Sequence, residues 1–401
     1  MVRVTRAAFH PDGCLSWLEG ALAIHRLSAG SQLEGGGQIL RNAAALAALT
    51  ATPIRISAIR AGRTPPGLRP QHVAGLDLVA RLCDGALEGA TVGSTCASLS
   101  PQAGYGPGCG GSSGGGHGEV LGEAGTAASC MLMAQAALPC LLLPRAMSAR
   151  GPPPGRRTLR LRGGTDARAA PPADYLRHVL APALRAHAGV DLEVEVLRRG
   201  FFPKGGGEVA CRVAPLSPGS SLPPLRLTQR GEVRGIVIRA FQAGRVPRGV
   251  ADRMARAARA ALGANLATLV EAEEVEALPP CQAVGDGCGV LLAAHTSSGC
   301  VLGASGLGER GVSAEAVGRR AGAELAALLA SGACVDAHAA DQLVIFAAMA
   351  GGESRLLMGE PTLHTLAAIA VAEQLTAARF DLQTVEGLTL MACHGAGLTW
   401  G

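Results

Sequence analysis

Two helix-like segments rich in Ala and Leu, flanked by short β-type runs, recur three times along this chain of 401 residues. The first unit reads as helices near 37–50 and 70–84 with strands near 21–28, 54–60 and 95–100. The second has helices near 125–137 and 173–188 and strands near 139–143, 158–162 and 191–197. The third has helices near 339–350 and 363–377 and strands near 354–358, 380–384 and 388–393. Short strands alternating with helices bury their apolar faces as layers, helices packed on sheets, so the fold class is α/β. The stretch 226–330 breaks the rhythm with a strand (233–241), an Arg/Ala helix (248–263), two strands (265–273 and 288–295) and a helix (313–330). The expected layout is an N-terminal extension over 1–20, a main domain of three repeated α/β units over 21–214 and 334–401, and a smaller inserted α/β domain over 215–333.

Three punctuated stretches interrupt the pattern. Residues 101–118 (PQAGYGPGCGGSSGGGHG) read as a surface loop. Residues 148–157 read as an exposed turn that forms a basic patch with Arg160 and Arg162, and 215–225 (PLSPGSSLPPL) reads as a linker.

Composition removes several function classes. Only ten residues are aromatic (Phe 6, Tyr 2, Trp 2), too few for nucleic-acid binding by rows of stacked rings. Lys204 is the only lysine among 36 basic residues, and Gly205 follows it, so a P-loop with its Gly-Lys-Ser/Thr is absent. The kinase strand lysine has no candidate either. Arginine still supplies forked donors for phosphate, and a net charge of +5 is compatible with a polyanionic ligand. The twelve cysteines include no C-x-x-C pair and read as reduced, mostly buried thiols of an intracellular protein, with no zinc site. No run of 18 apolar residues predicts a membrane span. Residues 1–20 lack a clear signal-peptide core, and organelle targeting by them is the less favoured reading.

Four segments carry candidate chemistry. Leu33-Glu34-Gly35-Gly36-Gly37-Gln38-Ile39-Leu40-Arg41 sets three glycines between a strand and a helix. This is either a tight turn or a place where backbone N–H groups meet an anion. Glu34 there would repel phosphate unless it holds a metal or a hydroxyl, which makes it a candidate functional carboxylate. Arg60, Arg63, Arg69, Gln71 and His72 gather on a proline-stiffened loop feeding a helix, a donor set suited to phosphate oxygens. Phe201-Phe202-Pro203-Lys204-Gly205-Gly206-Gly207-Glu208 echoes the first triple glycine and reads as a structural turn. Asp341-Gln342 opens one helix, and in Glu360-Pro361-Thr362-Leu363-His364-Thr365 the Pro and Thr fit the start of another. His364 then sits in a first turn that draws in anions, where an unprotonated imidazole nitrogen can serve as nucleophile or base.

Together, EGGGQILR, IRAGRTPPGLRPQH, DGALEGATVGST, FFPKGGGEV, DQLVIFAAMAGG and EPTLHT resemble, in order, the motifs of the RNA 3′-terminal phosphate cyclase family. The resemblance runs from about residue 22 to the C-terminus and looks closer to the eukaryotic members. It implies three repeated units plus an inserted domain, and a ligase-class reaction using ATP and a divalent metal, Mg²⁺ or Mn²⁺. His364 matches the nucleophile that takes AMP from ATP. The adenylate passes to the 3′-phosphate of an RNA, the neighbouring 2′-hydroxyl attacks it, and a 2′,3′-cyclic phosphate results as AMP leaves. Glu34 matches an active-site carboxylate that places the metal. By the same resemblance Gln135, Pro171, His338, Asp341, Gln342, Gly36 and Gln38 fall at the ATP site. Arg41, Arg60 and Arg69 fall near substrate phosphates, and Arg63 and His72 beside the catalytic centre. The implied partners are ATP and an RNA with a 3′-terminal phosphate, with no membrane, in the nucleoplasm, the cytoplasm or both.

Some positions depart from the family pattern. His338 stands where a tyrosine is usual, Ala29 where an aspartate is expected, and about 20 extra residues precede the first strand. The family also includes cyclase-like proteins that act in ribosome assembly and lack the histidine. His364, Glu34 and Arg63 favour the enzyme. An enolpyruvyl transferase, which shares the repeated architecture, needs several lysines, and this chain has one.

Overall fold

The computed structural model describes residues 24–28, 36–102, 119–144 and 155–400. Glu34, Gly35, the extension 1–20 and most of the loops expected at 101–118 and 148–157 lie outside the described residues. Unit one comprises β1 (His25–Ser28), α1 (Gly37–Thr50), β2 (Ile54–Ser57), α2 (Pro70–Leu82), β3 (Ala86–Glu88) and β4 (Ala97–Ser100). Unit two comprises β5 (Glu119–Glu123), α3 (Cys130–Leu142), β6 (Arg157–Gly163), α4 (Ala173–Tyr175), a π turn (Leu176–Leu180), α5 (Ala181–Ala188), β7 (Leu192–Gly200) and β8 (Gly207–Val213). A short β9 (Arg226–Leu227) follows. Next come β10 (Val233–Ala243), α6 (Val250–Ala261), α7 (Gly263–Ala267), β11 (Val270–Leu278), β12 (Ala283–Val284), β13 (Gly287–Thr296), β14 (Val301–Leu307) and α8 (Ala314–Ser331). The chain closes with α9 (Ala337–Met349), β15 (Gly351–Met358), α10 (Leu363–Leu375), β16 (Arg379–Val385) and β17 (Leu388–Ala396).

Three sheets repeat one plan. Their orders are β1-β2-β4-β3, β5-β6-β8-β7 (with β12 added outside β7) and β9-β15-β17-β16. In each set of four the first two strands are parallel and the others antiparallel, while the added β12 runs parallel to β7. A right-handed βαβ crossover with a second helix on the same side is the economical way to join strands in that order. The helices collect in the middle: α1 packs against α2, α3 and α10, and α10 against α9. Mostly Ala and Leu, they pack closely without rings. Ala43, Ala44, Ala45, Leu46 and Ala47 of α1 are all buried.

The fourth sheet, β11-β10-β13-β14, carries α6 and α8. A Cβ on Gly318 or Gly322 of α8 would lie 2.1 Å from Met254 O or 2.2 Å from Ala258 O of α6, so the two helices meet backbone to backbone. This body is tied to the second and third units. Arg199 of β7 lies 3.8 Å from the centroid of Phe241 of β10, whose ring also stacks on Phe201. Asp336 accepts from Gly303 N of β14 (2.9 Å), from Tyr175 Oη (2.5 Å) and, as N-cap of α9, from Ala339 N (2.9 Å).

Several elements differ from the sequence reading. The strand expected at 139–143 is the end of α3, which runs on through Pro139 and starts later, where Ser129 Oγ accepts from Met131 N (3.2 Å). Leu138 and Leu141–Leu143 are buried on every side, so the run carries no period to separate helix from strand. The strand expected at 265–273 begins only at Val270, after α7. The stretch read as a linker is packed: Leu222 and Leu225 are buried, and Leu225 N donates to Ser354 Oγ (3.0 Å). Strand β9, inside the range assigned to the insert, pairs with β15 and opens the third unit, so the fourth sheet interrupts that unit between β9 and α9. The expected basic patch is largely neutralised. Arg160 pairs with Glu119 and Glu208, Arg162 with Glu123, and Arg156 with Asp191 and Glu193. Lys204 and its glycines form a turn: Gly205 and Gly206 have φ of 65° and 70°, and a Cβ on Gly205 would meet Thr126 O at 2.4 Å.

Candidate active site

Helices α1, α2, α9 and α10 bring most of the singled-out residues to one end of the central helix layer. Gly36 is the N-cap of α1, and Gly37, its first residue, faces α2. A Cβ at Gly37 would lie 2.7 Å from His72 Nε2 and 2.9 Å from Arg41 Nη1, so only glycine leaves those two side chains where they are. His72 Nδ1 accepts from Arg69 N (3.0 Å), which places the proton of the neutral ring on Nε2. Burial, reinforced by the charges of Arg41, Arg60 and Arg69, holds this imidazole down to about 4, so at neutral pH it is an uncharged donor.

Arg41 is partly buried. Its Nη2 donates to Gln38 Oε1 (2.6 Å), and burial pushes the guanidinium down to about 10 against the opposing pull of Asp341. It stays charged at neutral pH. Gln38 Nε2 reaches Asp341 O (3.4 Å) and ties α1 to α9.

Asp341 sets the position of His364. Its Oδ1 accepts from Thr362 Oγ1 (2.6 Å) and Thr365 Oγ1 (2.5 Å), and Thr362, the N-cap of α10, accepts from Thr365 N (3.0 Å). Two threonines flanking His364 are therefore clamped by one buried carboxylate. His364 itself is exposed in the first turn of α10, where backbone N–H groups favour an anion.

Beside these residues lies a cleft, open to solvent, between α1, α3, α4 with its π turn, and α9. Gln38, Gln135, Pro171 and Gln342 line it together; Gly36, His338 and Asp341 do not. Its floor is apolar (Met131, Leu138, Leu176, Phe346), and its polar rim holds Asn42 Nδ2 and Gln135 Oε1, both buried without a hydrogen-bond partner. Orphaned buried amides are costly, and a ligand that supplies one acceptor and one donor satisfies them. His338 is exposed and stands edge-on to Tyr175, 5.6 Å between centroids at 82°.

Arg60, Arg63 and Arg69 lie on the loop between β2 and α2. Arg60 has φ 54°, and its Nη1 donates to Pro65 O (3.1 Å), as does Arg69 Nη2 (3.2 Å). Arg63 is exposed at the tip. Desolvation and the charges of Arg69 and Arg63 lower the Arg60 guanidinium.

Sequence reasoning missed Asn42 and Tyr175. Asn42 lies one residue past Arg41, facing the cleft from a helix read as core. The Pro-Pro-Ala-Asp-Tyr run at 171–175 offered a helix start but no chemistry. Among the described residues no group of three or more His, Cys, Asp or Glu could hold a metal ion, and no helix is long and apolar enough to cross a membrane.

A repeated sheet-and-helix protein with a histidine-bearing helix start beside an apolar cleft defines the class. Residues 32–382 match the model of the family described as RNA 3′-terminal phosphate cyclase. The RNA 3′-terminal phosphate cyclase of Pyrobaculum neutrophilum is 38% identical over 368 residues, 92% of this chain and 98% of that protein. The probable RNA 3′-terminal phosphate cyclase of Dictyostelium discoideum is 36% identical over 91% of this chain and 82% of its own length. The RNA 3′-terminal phosphate cyclase of Drosophila melanogaster is 34% identical over 92% and 96%. The chain belongs to the RNA 3′-terminal phosphate cyclase family.

Proposed function

We propose that this protein converts the 3′-terminal phosphate of an RNA to a 2′,3′-cyclic phosphodiester at the expense of ATP. The observation that carries this reading is the Asp341 clamp. It fixes an exposed histidine at a helix N-terminus, next to a cleft whose unsatisfied amides suit a nucleobase edge. The base of ATP enters the cleft between Pro171 and Gln342 and meets Asn42 and Gln135. His364 attacks the α-phosphorus: a nitrogen–phosphorus bond forms, the α–β bridge breaks and pyrophosphate leaves. A 3′-phosphate oxygen of the RNA then attacks the same phosphorus and regenerates the imidazole. The 2′-hydroxyl next attacks the activated 3′-phosphate, its proton goes to solvent or a neighbouring base, and AMP departs. Arg41 and neutral His72 face the developing phosphate charge from inside, and Arg60, Arg63 and Arg69 from the loop. The described residues offer no dedicated metal cage. A divalent ion would be held mainly by ATP phosphates together with Glu34, which suits a magnesium-type ion.

The experiment uses an RNA carrying a labelled 3′-phosphate, incubated with protein, ATP and Mg²⁺ and then with phosphatase. The expected result is an end that becomes phosphatase-resistant only when ATP is present. An end that stays sensitive would leave a cyclase-like protein without activity.

A further inference from the structure

The active site accounts for the RNA end but leaves a separate row of positive charge on the first sheet unexplained. In the parallel pair β1–β2, Arg26 stands opposite Arg55 in register, and both are exposed. Leu27, Ile54 and Ile56 point the other way, into the core beneath α1 and α2. Strands about 4.8 Å apart set the two guanidinium groups side by side, an arrangement that is unfavourable without an anion between or above them. Among the described residues neither arginine has a carboxylate partner, in contrast to Arg160 and Arg162 on β6. The rest of the open face is small: Ser57 of β2, Ser98 and Ser100 of β4, and Ala86 of β3, with Glu88 in the Arg55 row two strands away, across Ser98. Among the described residues this face carries no aromatic ring on which a base could stack. Both strands are parallel, and β2 runs from Arg55 directly into the loop of Arg60, Arg63 and Arg69.

We propose that the Arg26–Arg55 row is a track for the phosphodiester backbone of the single-stranded RNA immediately upstream of the 3′ end. This rests on the cyclase reading and extends it. Fork-shaped donors on a face without rings contact phosphates and leave the bases unread, so the track confers preference for length and none for sequence. The occupant enters over the arginine loop, with its terminal phosphate at His72 and Arg41 and its upstream phosphates on the sheet.

The test compares wild type with R26T/R55T, a charge-free pair suited to strands, on a 3′-phosphorylated trimer and a 12-mer sharing the same 3′ sequence. KM is measured across a KCl series, and binding of a labelled 12-mer by anisotropy. The wild type should favour the 12-mer. The variant should lose that preference through a roughly tenfold higher KM for the 12-mer, with trimer kinetics unchanged. Its salt slope, log K against log salt, should be shallower by about 1.4, from about 0.7 per phosphate contact on a single strand. R26K/R55K, which keeps the charge, should retain the slope and confirms that folding is not the cause. An unchanged 12-mer KM and slope in R26T/R55T would overturn the track. If the wild type cyclises neither RNA, the cyclase reading falls, and the anisotropy slopes alone decide whether these arginines hold an RNA strand.

Discussion

Replacing His364 by alanine is expected to lower the rate of RNA cyclisation by about 10⁴-fold or more, the scale on which a covalent nucleophile is lost. Neither the single lysine nor the buried thiols of Cys130 and Cys140 can take over. Lys204 is exposed on the turn between β7 and β8, where its charge acts on Asp286 at the edge of the fourth sheet. Burial pushes the Cys130 thiol up to about 12 and Cys140 higher still, so neither supplies a thiolate. The fold should survive, because His364 is exposed and α10 keeps the Thr362 cap and its Asp341 anchor. The measurement is kcat on a 3′-phosphorylated RNA at saturating ATP, with the thermal transition as a control. A variant within tenfold of wild type would remove His364 from the mechanism.

The largest expected effect on stability comes from Arg199→Met. Arg199 is buried on β7 between two buried carboxylates, donating to Asp174 Oδ2 (2.6 Å) and Asp166 Oδ2 (3.3 Å). Thr165 Oγ1 donates to Asp166 (2.6 Å), and its oxygen accepts from Gly200 N (3.0 Å), so the cluster is bound into the strand end. Burial already pushes the Asp166 carboxyl up despite the arginine. Methionine would keep much of the volume but leave two carboxylates without a cation, and would remove the contact with Phe241. The expected cost is about 3–5 kcal/mol, seen as an earlier urea transition. Asp166→Asn with Asp174→Asn in the same background should recover part of it, since the penalty is that of uncompensated charge. A transition unchanged by R199M would show that the cluster bears no load.

The repeated architecture was legible because alternation and caps are local. Thr362 marks the start of α10 as the Ser/Thr/Asp rule requires, and Gly36 and Gly37 stand at the start of α1. Helix α9 starts earlier than read, at Ala337 behind the cap Asp336, so Asp341 and Gln342 lie in its second turn and do not open it. Strand β3 was missed because three residues carry no period, and β5 because it emerges from a glycine-rich stretch. Strand β9 was missed because two residues with a partner more than a hundred positions away have no local signature. The motifs were found from residue types and from resemblance. Their connections were not: nothing in the sequence joins Asp341 to both threonines around His364, or Gly37 to His72 across two helices. Asn42 was hidden by an otherwise uniform helix. Such contacts are long-range and depend on packing angles that composition does not encode.

The most direct measurement of the central claim is the bond at His364. Protein is incubated with α-labelled ATP and Mg²⁺ without RNA, denatured, and treated separately with acid and with hydroxylamine. The account predicts label on the protein that acid removes and hydroxylamine does not, mapped to the peptide containing His364 and discharged when 3′-phosphorylated RNA is added before denaturation. Absence of label, or equal labelling of the His364→Ala protein, would contradict it.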